Sequence, residues 1–297
     1  MIFLSWFKPK EESSQQTQYF QTRVSSVASI EYCEPKAYLN IIKGISEPVS
    51  MPLVHGTAHH YVRYYFYLKA LSLAEQIDKT ESVHAVYDLF KQYRVQAVEY
   101  ALQKTVERYQ KEGFQFTESD YMYLEQALLE DALRDAIVEA ISVSSQRRFW
   151  IGYTVPKSLR LEEEIICEVK IRNRIFKLWA HPDLIFTDGL YNYVYDYKSG
   201  MPASLEVWIY PWNRLQLDGY SYGYEKAGLG KISSGAIIYL QDYSMFRFRI
   251  TTLDPLRFES GLLKVDDWLN GEKPSYEEIS ACKNCQIREE CKKEFLW

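Results

Sequence analysis

A predicted hairpin constrains this chain more than any other feature of its 297 residues. Asp188-Gly189 suits a tight two-residue turn, because both residue types tolerate the left-handed backbone such turns require. Before it, Ile175 to Phe186 reads as extended chain. After it, Tyr191, Tyr193, Tyr195 and Tyr197 alternate with Asn192, Val194, Asp196 and Lys198. A period of two puts alternate residues on one face, so Asp196 and Lys198 project together. Asp183, directly after Pro182, lies thirteen positions before Asp196 across the turn. The hairpin can therefore set two carboxylates side by side with a lysine next to them.

Two close carboxylates repel, and a hard divalent cation relieves that cost by taking oxygen ligands. Mg²⁺ or Mn²⁺ is the natural occupant. A lysine beside them can orient an attacking water and offset the charge that builds on a phosphate. An isolated Asp-x-Lys, however, is ordinarily an exposed ion pair on an edge strand, which contributes little. Two further constellations bear on the choice. Gly56-Thr57-Ala58-His59-His60 opens a predicted helix, and Gln216 and Tyr220 stand one turn apart on another, about 212–226. Either alone is weak.

Around these motifs the chain reads as follows. Residues 8–22 are polar and aperiodic, so 1–22 is expected to be a flexible lead-in with order beginning near Val24. A short helix over 29–40 carries Cys33. Gly44, Pro48 and Pro52 read as loop, which closes an N-terminal segment over 23–56. Residues 57–148 read as a helical lobe. Thr117 and Asp120 fit a capping box, and Leu129, Leu133, Ile137 and Ile141 form an apolar stripe whose plain reading is core. Residues 149–255 form the strand-rich core, with Ile165, Cys167 and Val169 alternating before an Arg172-Asn173 turn and further strands at 236–240 and 246–251. A closing helix over 255–269 leads into the C-terminal segment, 256–297.

The net charge of −5 argues against a protein that coats nucleic acid indiscriminately, yet leaves room for a local basic groove. Tyrosines number 25, and they serve core packing and base stacking alike. No apolar run approaches the ~20 residues needed to span a bilayer. The opening Ile2-Phe3-Leu4-Ser5-Trp6-Phe7 is too short for a signal peptide, so a cytoplasmic protein without a membrane partner is expected.

In that compartment thiols stay reduced, and cysteine spacing matters more than cysteine number. Cys282, Cys285 and Cys291 follow the pattern C-x₂-C-x₅-C. Three thiolates hold one side of a metal site, and a zinc ion or a cubane cluster needs a fourth ligand. Cys33 is the best candidate. Cys167, in an alternating strand, reads as core. Spacing alone leaves a zinc knuckle open.

At these residues the chain resembles a known family. Pro182-Asp183…Asp196-Tyr197-Lys198 is similar to the PD-(D/E)XK nuclease signature. Gly56-Thr57…His60 resembles the G-x-x-x-H motif, and Gln216…Tyr220 the Q-x-x-x-Y motif, of its RecB-like branch, in the same order. The resemblance implies an α/β (α+β) restriction-endonuclease-like core with a mixed central sheet. It implies that His60, Asp183 and Asp196 ligate the metal with the backbone carbonyl of Tyr197. Lys198 would be the catalytic lysine, and Gln216 and Tyr220 would contact DNA or support the site. Ala180 departs from the glycine of many relatives. His59 competes with His60 for the ligand role, and the spacing from Gly56 favours His60.

Ser29 to Leu39 and the C-terminal cysteines are similar to the CRISPR-associated Cas four family and to the AddB and Dna-two nucleases, although Glu34 separates Cys33 from Pro35. In those proteins one N-terminal and three C-terminal cysteines hold a [4Fe–4S] cluster, which implies that Cys33, Cys282, Cys285 and Cys291 do so here. Such a link closes a loop of about 250 residues and clamps the terminal segments over the core. The resemblance covers roughly residues 25–60 and 150–297, and the long helical stretch between them is similar to the larger archaeal Csa-one group or to a free-standing repair exonuclease. It implies a Mg²⁺- or Mn²⁺-dependent deoxyribonuclease acting on single strands or ends, in CRISPR adaptation with its partner proteins or in DNA repair. The rival readings are an inactive nucleic-acid-binding or scaffold protein of the same fold and a zinc-dependent structural module.

Overall fold

The first ordered element is a strand, β1 (Gln18–Arg23), in a computed structural model that describes residues 18–73, 82–149, 158–161, 164–187, 191–199, 209–240, 245–249 and 254–296. Order thus begins ahead of Val24. The strand has a partner far along the sequence, β4 (Arg174–Ala180), against which it lies parallel, and Phe20 meets Phe176 edge to face at 5.8 Å. A polar segment without periodicity gives no local sign of such pairing.

Helix α1 (Val24–Ala28) and a single 3₁₀ turn (Ser29–Glu31) lead to α2 (Glu34–Lys43), so the one helix expected over 29–40 is two pieces. Pro35 is the reason. Proline suits the first turn of a helix but not its interior, so the helix restarts at Cys33, which sits as an extended N-cap with φ −163°. The same logic moves the next boundary. Helix α3 (Met51–Leu73) begins five residues before Gly56, with Pro52 in its first turn.

Three more helices, α4 (Val83–Lys91), α5 (Arg94–Lys111) and α6 (Glu118–Phe149), pack with α3 around an apolar cluster of their own. The α6 cap is reciprocal: the Thr117 N–H donates to Asp120 Oδ2 at 2.8 Å and the Asp120 N–H to Thr117 Oγ1 at 3.3 Å. The buried stripe of α6 is not the expected one. Leu124, Leu128, Ala132, Ala136 and Ala140 are fully buried, Leu129 and Leu133 flank them, Ile137 is 45% exposed, and the Ile141 side chain is outside those described. The stripe rotates because Asp131 and Asp135 are buried too, facing α3. His55 Nε2 lies 2.8 Å from Asp131 Oδ2. His59 reaches Asp131 at 3.5 Å and Asp135 at 3.4 Å, and Arg63 reaches Asp135 at 3.7 Å.

The strands that follow are β2 (Ser158–Leu161), β3 (Ile165–Ile171), β4, β5 (Leu184–Thr187) and β6 (Asn192–Lys198). After helix α7 (Pro211–Lys226) come β7 (Ile232–Tyr239), β8 (Met245–Arg249), α8 (Asp254–Leu269), a 3₁₀ turn (Ser280–Asn284) and α9 (Arg288–Phe295). Among the described residues two sheets stand in place of one central sheet, of order β1-β4-β3 and β2-β5-β6-β7-β8. The extended run breaks at His181-Pro182-Asp183, where proline offers no N–H to a ladder, and β5 resumes in the other sheet. Strands β5 and β6 pair antiparallel, Leu184 opposite Tyr195 and Thr187 opposite Asn192. The Asp188-Gly189 turn itself lies outside the described residues.

Helix α7 crosses from β6 to its parallel neighbour β7 and is buried along most of its length. Gly219 makes that possible: a Cβ there would sit 2.6 Å from Val24 Cγ1. Helices α2, α8 and α9 close the same core, Tyr38 meeting Trp268 at 5.6 Å and Phe295 at 5.4 Å. The N- and C-terminal segments are thus joined by packing.

The buried ion cluster between α3 and α6 should hold the lobe together. Asp135→Ala would take a buried carboxylate away from His59 and Arg63, and removing one member of a buried pair costs ~3–5 kcal/mol, to be read as a lowered urea midpoint, whereas the exposed Asp88→Ala should cost under ~0.5 kcal/mol. Burial disfavours charge on Asp131, but the His55 hydrogen bond and the neighbouring His59 and Arg134 outweigh it and hold its pKa below the usual carboxylate value. The stabilisation from a lowered pKa is present above the ordinary value of ~3.9 and is lost as pH falls through the folded one. Acid melts of wild type should accordingly fall more steeply in that window than those of Asp131→Asn.

Candidate active site

Four elements meet at one cleft. Strand β6 brings Asp196 and Lys198, the residue before β5 is Asp183, α3 brings His60, and α7 brings Gln216 and Tyr220. The cleft has a volume of about 530 Å³ and lies between the strand-rich core and the helical lobe.

Asp183 receives two partners. Its Oδ1 is 3.4 Å from His60 Nδ1, and its Oδ2 accepts the Tyr197 N–H at 2.6 Å. The Tyr197 backbone, expected to offer its carbonyl to a metal, also engages Asp183 through its N–H. Asp196 is 2% exposed, which removes the reading of Asp196 and Lys198 as a surface ion pair. Its Oδ1 accepts from the Tyr220 hydroxyl at 3.2 Å and from Gln216 Nε2 at 3.3 Å. The Lys198 ammonium donates to Gln216 Oε1 at 2.8 Å and lies 2.6 Å from Asp196 Oδ2, outside hydrogen-bond geometry. Gln216 Nε2 also donates to the Tyr220 hydroxyl.

The electrostatics follow from two enclosed carboxylates in one place. Burial and the charge of Asp183 together raise the pKa of Asp196, although Lys198 opposes them. Burial also works against Asp183, but His60, the Tyr197 N–H and Lys198 prevail and hold its pKa below the ordinary value. Burial disfavours charge on His60, yet Asp183 and Asp196 raise its pKa. The Tyr220 hydroxyl is pushed well up, first by burial and then by the carboxylates, so it stays a donor.

Two pairs of alternatives divide here. His59 and His60 are neighbours on one helix and therefore diverge: His60 faces Asp183, while His59 belongs to the ion cluster of the lobe. Tyr220 is 3% exposed, so its ring offers no face for base stacking and its hydroxyl supports Asp196 instead. Gly56 has a role that spacing alone does not show. A Cβ there would come within 2.6 Å of Ser199 Oγ, so its absence lets α3 approach the end of β6 and sets His60 across from Asp183. Arg23, Arg108 and Trp179 also line the cleft, with no local signal in the sequence.

Among the described residues no three His, Cys, Asp or Glu side chains stand close enough to share a metal ion. The donor set still suits a hard divalent cation, with two carboxylates, an imidazole and one buried oxygen, Asp196 Oδ2, that accepts no hydrogen bond. Cys33 lies within electrostatic reach of Cys282 and Cys285, and Cys291 within reach of all three, although among the described residues no three of them stand close enough to share a metal ion. Burial comes first in raising both thiols, Cys291 to about 11. Cys167 is 5% exposed, lies in the main core and is pushed by burial to about 11.

No curated protein matches the chain. A solved structure described as "Crystal structure of SSO0001" is similar at 14% identity over 75% of this chain and 92% of that one, with a TM-score of 0.33, a likeness too slight to carry an argument. Residues 23–292, which take in every side chain of the cleft, match the model of the PD-(D/E)XK nuclease superfamily, and the chain belongs to that family.

Proposed function

We propose that the protein is a Mg²⁺- or Mn²⁺-dependent deoxyribonuclease that hydrolyses single-stranded DNA or DNA ends, in CRISPR adaptation or DNA repair. The observation that carries the reading is the enclosed Asp183–Asp196 pair with Lys198 in contact with one of them. In the family such a pair serves phosphodiester hydrolysis, and the motif resemblance points to the RecB-like branch.

His60, Asp183 and Asp196 would hold the ion, with the backbone carbonyl of Tyr197. When bound, it supplies Lewis-acid polarisation of the scissile phosphate and lowers the pKa of the attacking water. The protein's own groups position the rest. The Tyr197 N–H fixes one Asp183 oxygen, Gln216 and Tyr220 fix one Asp196 oxygen, and the Lys198 ammonium lies 2.6 Å from the other, Oδ2. Lys198, steered by Gln216, can orient a water and offset negative charge on the phosphate as it is attacked.

We further propose that Cys33, Cys282, Cys285 and Cys291 hold a [4Fe–4S] cluster with a structural role. The support is that Cys33, at the start of α2, and Cys291, on α9, each lie within electrostatic reach of the other three. Four thiolates suit either this cluster or zinc, and the Cas four-like spacing favours the cluster.

Purified protein incubated with end-labelled single- and double-stranded DNA, with each metal or EDTA, tests the first proposal. Asp183→Ala and Asp196→Ala should abolish cleavage, and Lys198→Ala should lower kcat by ~10²–10³. Wild-type cleavage by Asp196→Ala would refute the assignment. Calorimetric Mn²⁺ titration should show weakened binding in His60→Ala and not in His59→Ala, whose defect should be a lower Tm. For the cluster, anaerobically purified protein should be brown and carry about four irons per chain. Cys33→Ser and Cys285→Ser should bleach it while Cys167→Ser should not. Colourless protein with one zinc would remove the cluster and leave the nuclease reading intact.

A further inference from the structure

We infer that Arg23, Arg108 and Trp179 form a subsite gripping the phosphate and base next to the scissile bond of a single nucleic-acid strand. The inference rests on the nuclease reading and concerns side chains that reading does not use. Arg23 ends β1 and Trp179 lies on β4, and the parallel register makes them direct partners. Both line the cleft that holds Asp183 and Asp196. From the opposite wall, α5 of the helical lobe contributes Arg108, which also lines it. The two arginines come to one cleft from segments 85 residues apart.

Charge gives these arginines a task. The chain is acidic overall and the cleft floor carries two carboxylates, so a polyanion needs fixed cations at the mouth to enter. Guanidinium is suited to this because its planar fork matches phosphate oxygens and it is always charged. Arg108 has a competitor in Glu112 at 3.7 Å, but both side chains are 49% exposed, and such pairs contribute little and yield to a phosphate. Trp179 is half-buried with the Lys177 ammonium 5.3 Å over its ring, and an indole at a cationic mouth is a stacking platform that accepts any base. Size sets the substrate class. A cleft of about 530 Å³ is within the ~300–1,000 Å³ that holds a small ligand, room for about one or two nucleotides of one strand.

The test is anisotropy of fluorescein-labelled oligothymidylate, with EDTA present to prevent cleavage, across a salt series. Arg23→Ala and Arg108→Ala should each weaken binding and each lower the slope of log K against log salt by ~0.7, the loss expected for one phosphate contact to a single strand. Arg→Lys at either position should keep the slope. Trp179→Ala should weaken binding by about 5- to 150-fold with the slope unchanged, and Trp179→Phe should restore most of it. Unaltered melting temperatures would exclude misfolding as the cause. Unchanged slopes in both arginine variants, or wild-type affinity for blunt duplex equal to that for single strand, would overturn the inference. Failure of the nuclease reading looks different: Asp196→Ala would still cut DNA while the arginine variants lost slope, leaving a single-strand-binding cleft without the assigned chemistry.

Discussion

Two negative charges enclosed at one point set the terms for everything around them. Asp196 is 2% exposed and Asp183 is nearby, an arrangement that costs free energy unless each oxygen is matched. The matching groups come from three directions: a backbone N–H and an ammonium from β6, an amide and a hydroxyl from α7, and an imidazole from α3. Each of those elements must then be held, and the larger architecture does so. Helix α7 is locked between the two sheets by its small residues, and α3 is locked to α6 by a second set of buried charges, His55 and His59 against Asp131 and Asp135.

Which parts of this were legible in the sequence depends on range. Asp183, Asp196 and Lys198 belong to neighbouring strands, so a local period and a turn signal were enough to bring them together. The Thr117–Asp120 cap and the limits of α7 rest on equally local rules. Elsewhere the deciding partner was remote. Strand β1 is a strand only because β4, some 150 residues later, gives it hydrogen bonds. The stripe on α6 turns because two aspartates that would face water alone are buried by histidines of another helix.

Residue roles divide in the same way. Adjacent helical residues point about a third of a turn apart, so His59 and His60 separate only once their neighbours are known. Tyr220 was expected either to contact DNA or to support the site, and its burial with its hydroxyl on Asp196 favours the second role. The core position of Cys167 was legible from its alternating strand, whereas any link from Cys33 to the C-terminal cysteines depends on remote packing that no local rule reports.

One feature of α3 bears on when the site comes into being. The helix spans two apolar clusters, with Val62 and Phe66 in the lobe and, one residue from the buried His59, the His60 that faces the core strands. During synthesis this helix emerges more than a hundred residues before Asp183, so the imidazole waits for carboxylates that only the finished core can present. The cleft is therefore complete only once the chain has been made through Tyr220 and both core and lobe have folded: neither a half-made protein nor one with a molten lobe has the whole constellation.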